Sequence, residues 1–260
     1  MAINWILESV DQSPSTNEDL MTRWRAGQLW EPIARKAITQ TSGKGRLGRS
    51  WVSHAKQALT FSVAYPFKKS ISELSGLSLA CGLAAIKGIS EASGISQEDL
   101  KKSGLGLKWP NDIFLNNKKM AGLLLEGGQL DPSQATWIVI GIGINLTADE
   151  TLKNSIQRPI ASLDQIDQAK TIDADVLWLA ILKELAETIE LFEQYSFAKF
   201  QEEWNSWDVY RNQHCAIVQN EQIQFEGFER GVDAEGHLLI ESDNKIQKII
   251  SGDVSLKAKV

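Results

Sequence analysis

Residues 105–126 read LGLKWPNDIFLNNKKMAGLLLE, and this stretch indicates how the chain folds. Leu105 to Trp109 and Ile113 to Leu115 are short apolar runs typical of strands, and Asn116-Asn117-Lys118 is a tight-turn sequence that sends the chain back through Met120 to Glu126. Strands joined by tight turns pair antiparallel, whereas parallel strands need a long crossover. The stretch therefore predicts a hairpin and argues against a doubly wound parallel sheet.

The segments on both sides of this hairpin mix strands and helices without regular βαβ alternation. A capping box at Ser15-Thr16-Asn17-Glu18 opens the first helix, and the period-two alternation of Leu59 to Tyr65 is that of a half-buried strand. We therefore predict an α+β fold with a mixed sheet. The predicted strands are Asn4 to Glu8, Ile33 to Gln40, Leu59 to Tyr65 and Trp137 to Leu146, and the predicted helices are Ser15 to Trp30, Leu74 to Ala92 and Ala174 to about Trp204.

The pattern of predicted secondary structure changes from about Asp208 onward. Short strand-like pieces separated by turn residues follow, a pattern that fits a small β-barrel. We therefore predict two domains, 1–207 and 208–260, without a flexible linker between them. The pieces are Ala216 to Val218, Ile223 to Phe228, Leu238 to Glu241 and Ile246 to Ile250.

Composition excludes several classes of protein. The 260 residues carry 27 basic and 33 acidic side chains, a formal net charge of -6, which argues against a surface that grips nucleic acid. Two cysteines, Cys81 and Cys215, are too few for a disulfide framework. The three histidines are dispersed, which gives little basis for a metal hydrolase or a Ser-His-Asp triad. Without a signal peptide or a membrane segment in the sequence, we expect a cytoplasmic protein.

The loop from Gln40 to Trp51 alternates three glycines with three cations, in the order Gly43-Lys44-Gly45-Arg46-Leu47-Gly48-Arg49. Glycines let backbone N–H groups approach an anion, and the cations supply charge and fork-shaped donors. We prefer anion binding over a solvated surface loop. The near-match to the G-x-x-x-x-G-K-[ST] phosphate loop is judged accidental, because Arg49 replaces the lysine and a strand follows instead of a helix.

A second signal is Lys108-Trp109-Pro110-Asn111-Asp112, in which a lysine ends an apolar strand before a proline turn. Such a cation could neutralise a carboxylate or an α-phosphate. The alternative is an edge lysine beside an ordinary β-turn begun by Pro110. For Asn111 and Asp112 we expect structural roles. Farther on, Gly141-x-Gly143 is not a dinucleotide fingerprint, because Leu146 stands where the third glycine is needed.

Taken in order, these motifs resemble biotin–protein ligases. The loop is similar to the family's G-R-G-R-x-G-R-x-W signature, which is specific, and Gly252 to Lys257 resembles the family's terminal strand. The other motifs that carry the resemblance are Ser15-Thr16-Asn17, Lys108 to Asp112 with Ala121-Gly122, and Gly141 to Asn145.

The resemblance implies an α+β catalytic domain shared with lipoate ligases and a small SH3-like C-terminal domain. It implies that biotin attacks the α-phosphate of ATP, with Mg²⁺, to give biotinyl-5′-adenylate. A lysine of the biotin carboxyl carrier protein of acetyl-CoA carboxylase then takes the acyl group. Two anions must meet in the first step, and this explains the need for cations.

The resemblance also assigns roles to residues of this chain. Lys108 and Arg46 would be catalytic, and no protein ligand is assigned to the metal, which ATP would carry. Lys44 stands where the family has arginine, so that charge is kept and the bidentate fork is lost. Biotin would contact Ser15, Thr16, Asn17, Gln40, Lys44, Gly45, Arg46, Lys108, Gly141 and Gly143. ATP and the adenylate would contact Lys44, Arg46, Arg49, Trp51, Lys108 and Asn145.

Alternatives remain open at this stage. A lipoate–protein ligase-like acyltransferase is the enzymatic rival, and a non-catalytic biotin- or partner-binding protein is the rival from another class. Because the ligase motifs begin almost at Met1, we expect a monofunctional ligase that does not bind DNA. The apolar strand from Trp137 to Ile140 could pair with a second subunit in a homodimer, although a place in the core is preferred.

Overall fold

The computed structural model of the chain describes residues 3–131, 133–149, 159–169, 172–219, 222–250 and 254–258. Its larger part is a seven-stranded sheet in the order β1-β2-β3-β7-β6-β5-β4. The first two strands pair parallel and the other neighbours pair antiparallel, so the predicted mixed sheet and the predicted hairpin are confirmed. The strands are β1 (Ile6–Ser13), β2 (Ile33–Gln40), β3 (Ala58–Phe67), β4 (Leu105–Lys108), β5 (Asp112–Leu115), β6 (Lys118–Gly128) and β7 (Thr136–Asn145).

Helices cover both faces of this sheet. On one face α2 (Leu77–Ser93) and α4 (Ala174–Tyr195) pack together over the larger apolar core, which includes Ile140 and Ile142 of β7. On the other face α1 (Thr16–Arg25) covers a smaller cluster that includes Val139. Because side chains alternate along a strand, the glycines of β7 share the α1 face, where the absence of side chains leaves space.

The helices differ in extent from the prediction. α1 ends at Arg25, before the predicted Trp30, and Gly27 follows with φ of +65°. The helix predicted from Ala174 to about Trp204 breaks at Ser196, whose φ is 55°, and the chain resumes as α5 (Gln201–Trp207). A short helix that the sequence reasoning missed, α3 (Gln97–Lys102), precedes β4. No helix in the described ranges is long and apolar enough to cross a membrane.

The C-terminal region forms a five-stranded antiparallel sheet in the order β11-β10-β9-β8-β12. It adjoins the main sheet where Leu107 of β4 forms a parallel bridge with Asp208, and Val209 N–H donates to the Leu107 carbonyl at 3.0 Å. A domain boundary between 207 and 208 stays a prediction. The strands are β8 (His214–Gln219), β9 (Gln222–Val232), β10 (Leu238–Ser242), β11 (Lys245–Ile249) and β12 (Val254–Ala258).

Candidate active site

A cavity of about 720 Å³ opens on the α1 face of the main sheet. The N-terminus of α1, the glycine-rich loop, β7 and the hairpin of β4 to β6 enclose it. The residues singled out from the sequence converge here from distant parts of the chain. Those that line the cavity are Ser15, Thr16, Asn17, Gln40, Lys44, Gly45, Arg46, Arg49, Trp51, Lys108, Gly141 and Gly143.

One end of the cavity is a buried polar network at the start of α1. Ser15 is the N-cap, and its hydroxyl accepts from Glu18 N–H at 3.5 Å. Thr16 donates to Gln40 Oε1 through its N–H at 2.8 Å and through its hydroxyl at 3.2 Å. The same hydroxyl lies 2.8 Å from Ser62 Oγ on β3. These bonds fix the polar groups before any ligand arrives.

Asn17 presents a buried acceptor at this end. Its Nδ2 donates to a Glu126 carboxylate oxygen at 2.6 Å, and since a carboxylate accepts and does not donate, Oδ1 must face the other way. Among the described residues Oδ1 has no hydrogen-bond donor, although it is buried. A Cβ on Gly141 would lie 2.6 Å from this oxygen. Glycine at 141 therefore avoids a clash with this buried acceptor, and a ligand N–H would satisfy it.

The glycine-rich loop folds back on itself as a small hydrogen-bonded turn. Gly45 N–H donates to the Arg49 carbonyl at 2.7 Å, and Trp51 N–H donates to the Gly43 carbonyl at 2.8 Å. A single 3₁₀ turn spans Arg46–Gly48, where Leu47 and Gly48 both have positive φ. The next regular element after this turn is β3, and every residue between them is described. A phosphate loop needs a helix at this point, so the predicted mismatch with that motif is confirmed.

The loop cations differ in exposure: Lys44 and Arg49 are exposed, and Arg46 is half-buried. Lys44 forms an ion pair with Glu18 in the first turn of α1 while its side chain stays 48% exposed. This ammonium, followed by the Arg25 guanidinium, lowers the pKa of Glu18. Arg46 Nη1 donates to Asn111 Oδ1 at 3.3 Å, which links the loop to the hairpin. The loop thus carries positive charge over the cavity without being packed into it.

Trp51 closes the loop against the floor of the cavity. A Cβ on Gly143 would lie 2.5 Å from the Trp51 ring, so the indole rests directly on the β7 backbone. Within the described residues, the buried Nε1 of Trp51 has no acceptor. Glycine at 143 therefore makes room for the indole, and the unpartnered N–H offers a second polar contact to a bound ligand.

Lys108 stands at the end of β4, as the sequence predicts. Its Nζ lies 5.0 Å from the ring centroid of Phe114 and 5.6 Å from that of Tyr210. The turn after it is anchored because Trp109 is buried and its indole N–H donates to the Gly236 carbonyl at 3.1 Å. Cation–π contacts and an anchored turn hold this ammonium more firmly than the cations of the loop.

Residues 9–145 match the model of the biotin/lipoate A/B protein ligase family, and residues 211–257 match the biotin protein ligase C-terminal domain. The chain belongs to the biotin/lipoate protein ligase family. The resemblance inferred from the motifs is confirmed.

Relatives of this family member span most of its length. The bifunctional ligase/repressor BirA of Escherichia coli K12 is 31% identical over 249 residues, which cover 94% of this chain and 72% of BirA. The biotin–acetyl-CoA-carboxylase ligase of Paracoccus denitrificans is 26% identical over 242 residues, which cover 88% of this chain and 90% of that ligase. Among solved structures, the Aquifex aeolicus biotin protein ligase in complex with biotin and ATP is 27% identical with a TM-score of 0.75, and 99% of each chain is covered.

Two more charged residues belong to this ligase-family cavity: Lys119, which the sequence reasoning did not single out, and Asp112, which was expected to be structural. Lys119 on β6 and Asp112 on β5 both line it and form an ion pair, with side chains only 14% and 18% exposed. The Lys119 ammonium also lies 5.9 Å from the Trp51 ring centroid. Strand alternation was the sequence signal that could have identified Lys119. Neighbouring side chains of a strand face opposite sides, so Lys119 faces the cavity when the exposed Lys118 faces solvent.

Asn145, assigned from sequence to the adenylate, does not line the cavity. Its side chain is buried and its Nδ2 donates to the Ala161 carbonyl at 3.0 Å. This contact is structural, because it ties the end of β7 to the segment that follows. β7 itself lies between β3 and β6, so the predicted core position of Trp137 to Ile140 holds and β7 has no free edge for a second subunit.

Proposed function

We propose that this chain is an ATP-dependent biotin–protein ligase, which makes biotinyl-5′-adenylate and transfers biotin to the lysine of a carrier domain. The observation that carries the proposal is one cavity with a buried, unpartnered acceptor at one end and a cluster of cations at the other. The complex of the Aquifex aeolicus relative with biotin and ATP supports this choice of substrates.

The polar end suits the ureido ring of biotin. Asn17 Oδ1 would accept from a ureido N–H, and the prearranged hydroxyls of Ser15 and Thr16 would complete the ring's hydrogen bonds. Gly141 would leave the apolar ring system in contact with the bare β7 backbone. The cyclic disulfide of lipoate has no N–H to satisfy Asn17, and a buried polar group left unpaired weighs against that substrate.

The cationic end suits the reaction. A biotin carboxylate oxygen attacks the α-phosphorus of ATP, the bond from that phosphorus to the bridging oxygen breaks, and pyrophosphate leaves. Lys108 would reduce the repulsion between the two anions and stabilise charge in the transition state, and Arg46 would contact the adenylate phosphate from the loop and retain the intermediate. Lys119 lines the same cavity and would act together with these cations. In the second step a neutral carrier amine attacks the acyl carbon, AMP leaves, and the amine loses a proton.

Mg²⁺ completes the proposal as the companion of ATP. Asp112 is the carboxylate among the described lining residues, and its ion pair with Lys119 leaves it poorly suited to hold a metal. We therefore assign no protein ligand, and the phosphates would carry the ion. Chelation of Mg²⁺ is expected to stop adenylate formation while leaving biotin binding measurable by calorimetry.

The proposed partner is the biotin carboxyl carrier protein of acetyl-CoA carboxylase, by analogy with the names of the relatives. We also propose that the reaction takes place in the cytoplasm and that this chain does not bind DNA. Salt-sensitive, sequence-selective binding in a gel shift would contradict the last point. Whether the chain forms a homodimer stays a prediction for analytical ultracentrifugation.

The decisive experiment follows labelled biotin into a purified carrier domain with ATP and Mg²⁺. The control is a carrier whose target lysine is replaced by arginine. We expect ATP-dependent labelling of the unaltered carrier alone. Equal or preferred transfer of lipoate would favour the lipoate ligase alternative, and biotin binding without any transfer would favour a non-catalytic binding protein.

A further inference from the structure

Two carboxyl groups meet behind Lys108, where the C-terminal sheet adjoins the main sheet. Glu229 on β9 is fully buried. Asp208, in the segment between α5 and β8, is half-buried as a residue, but its Oδ2 is fully buried. One oxygen of each group, Asp208 Oδ2 and Glu229 Oε2, is buried without a hydrogen-bond partner among the described residues, and the two groups interact electrostatically. Two buried carboxylates side by side repel each other, which favours a proton on one of them.

The remaining bonds of these carboxyls leave one oxygen of each without a donor among the described residues. Glu229 Oε1 accepts from Gly231 N–H, and Asp208 Oδ1 accepts from Tyr210 N–H at 3.0 Å. Oδ2 of Asp208 and Oε2 of Glu229 are buried without an N–H or hydroxyl donor in that part of the chain. A proton shared between these two oxygens satisfies both.

Backbone hydrogen bonds hold the segment from Asp208 to Gln213 beside Lys108. Asp208 and Val209 extend the main sheet along β4 through the Leu107 backbone. The next residue, Tyr210, packs its ring edge-to-face on Phe114, with centroids 6.4 Å apart, and both rings lie near the Lys108 ammonium. On the other side, the Glu229 backbone bonds to Asn212 and Gln213. The segment is thus held from β9 and β4 together.

We propose that Asp208 and Glu229 share a proton and act as positioning residues, which hold Tyr210 against Lys108 and so connect the C-terminal sheet to the adenylation site. This inference rests on the proposed function, because it assigns to Lys108 a part in adenylation. Loss of the shared proton would set two carboxylates against each other and release the segment beside Lys108.

Burial and the charges around the pair set the pH at which the proton is lost. Burial, and then the like charge of Asp208, raise the pKa of Glu229 to about 9, and burial raises the pKa of Asp208. Arg211 opposes both shifts weakly from the same segment. Cys215 on β8 stays a neutral thiol, because burial raises its pKa to about 12, and Lys108 is the nearby cation on β4.

The test compares adenylate formation by the full chain and by E229Q from neutral pH to above pH 9. Glutamine can donate to Asp208 and accept from Gly231, and it does not titrate. Each rate is divided by the same protein's rate at neutral pH, so that titration of the substrates cancels in the ratio. We expect the unaltered chain to lose about tenfold relative to E229Q, since misplacement of catalytic groups by ~1 Å costs up to about 10²-fold.

Two further measurements separate positioning from a general structural role. In a Lys108→Ala background the pH-dependent difference between Glu229 and E229Q should vanish, because the pair acts through Lys108. An infrared spectrum should show a protonated carboxyl band at neutral pH that E229Q lacks. Parallel pH profiles, or absence of that band, would overturn the inference. A chain that forms no adenylate at any pH but shows the band would instead overturn the proposed function.

Discussion

The glycine-rich loop and the hairpin of β4 to β6 bring cations to the same cavity in different ways. Lys44 on the loop is half exposed, and Arg46 donates to Asn111 Oδ1 at 3.3 Å. On the hairpin, Lys119 is mostly buried against Asp112, and Lys108 lies near two aromatic rings. Charge that is fixed before the reaction stabilises a transition state without reorganisation, whereas charge on a loop must first close. We therefore expect the hairpin to govern chemistry and the loop to govern retention of the intermediate.

The strongest test of this difference is Lys119→Ala. The substitution removes a cation from the reacting end and leaves the Asp112 carboxylate uncompensated beside the phosphates. Single-turnover adenylate formation should fall on the order of 10²-fold to 10³-fold, the usual cost of losing one preorganised electrostatic group. The matched control is Lys118→Ala, because Lys118 is exposed and absent from the cavity lining. Equal loss in both variants would contradict the assignment.

Lys108→Ala is the second test, with a smaller effect. A charge-assisted hydrogen bond contributes roughly 1.5–3 kcal/mol, so adenylation should slow by about 10-fold to 10²-fold if the contact strengthens in the transition state. The control is Lys101→Ala, since Lys101 also lies over an aromatic ring, that of Trp207 at 4.5 Å, but outside the cavity lining. Normal adenylation by Lys108→Ala would remove that residue from its proposed role.

Arg46→Ala should impair retention of the adenylate rather than its formation. The adenylate should still form, but its release should be about tenfold faster, since a partly exposed charge-assisted bond contributes on the order of 1.5 kcal/mol. Bystander lysines should consequently be acylated more readily. Adenylate formation and release are measured together, with Arg25→Ala on α1 as the control. Slower adenylation with unchanged release would place Arg46 with the hairpin cations.

The sequence predicted this division only in part. A period-two pattern was sufficient for β3 and a continuous apolar run for β7. The glycines and cations singled out a loop that does line the cavity, while its binding of an anion stays a prediction. The break at Ser196 was missed because apolar spacing continues through Phe200 and Trp204, while a single positive φ ends the helix. Local patterns show which side chains a stretch contains, but a break in backbone conformation depends on the packing around it.

The pairing of Lys119 with Asp112 was missed for a related reason. The turn sequence after Leu115 indicated a hairpin but not its register, and the β5–β6 pairing shifts between Ile113 and Phe114. Such a bulge changes which strand residues share a face. Local sequence therefore placed Lys108 at the end of its strand, whereas the position of Lys119 required the folded pairing.

Hydrogen exchange compares the two regions without any substitution. We expect amides of residues 43–50 to exchange several-fold more slowly once biotin and ATP are added, because three glycines and several like charges keep the empty loop open. Amides of residues 119–123, which are paired in the sheet already, should change little. Unchanged exchange across the loop would count against closure over the ligand.

The smallest expected effect belongs to Lys44→Arg, which restores the arginine of the family signature. Lys44 now meets Glu18 as a point charge, and this contact lowers the pKa of the Glu18 carboxyl, which therefore stays ionised at neutral pH. Arginine could keep this ion pair and add a second, fork-shaped contact to the adenylate phosphate. Because the side chain is half exposed, solvent screens the gain, and adenylate release should slow by only about threefold, equivalent to ~0.6 kcal/mol. The measurement is release from the preformed complex, with Lys44→Ala as the control that loses both contacts. Faster release from Lys44→Arg than from the unaltered chain would show that lysine is the better residue here, and that the loop closes around α1 rather than around the phosphate.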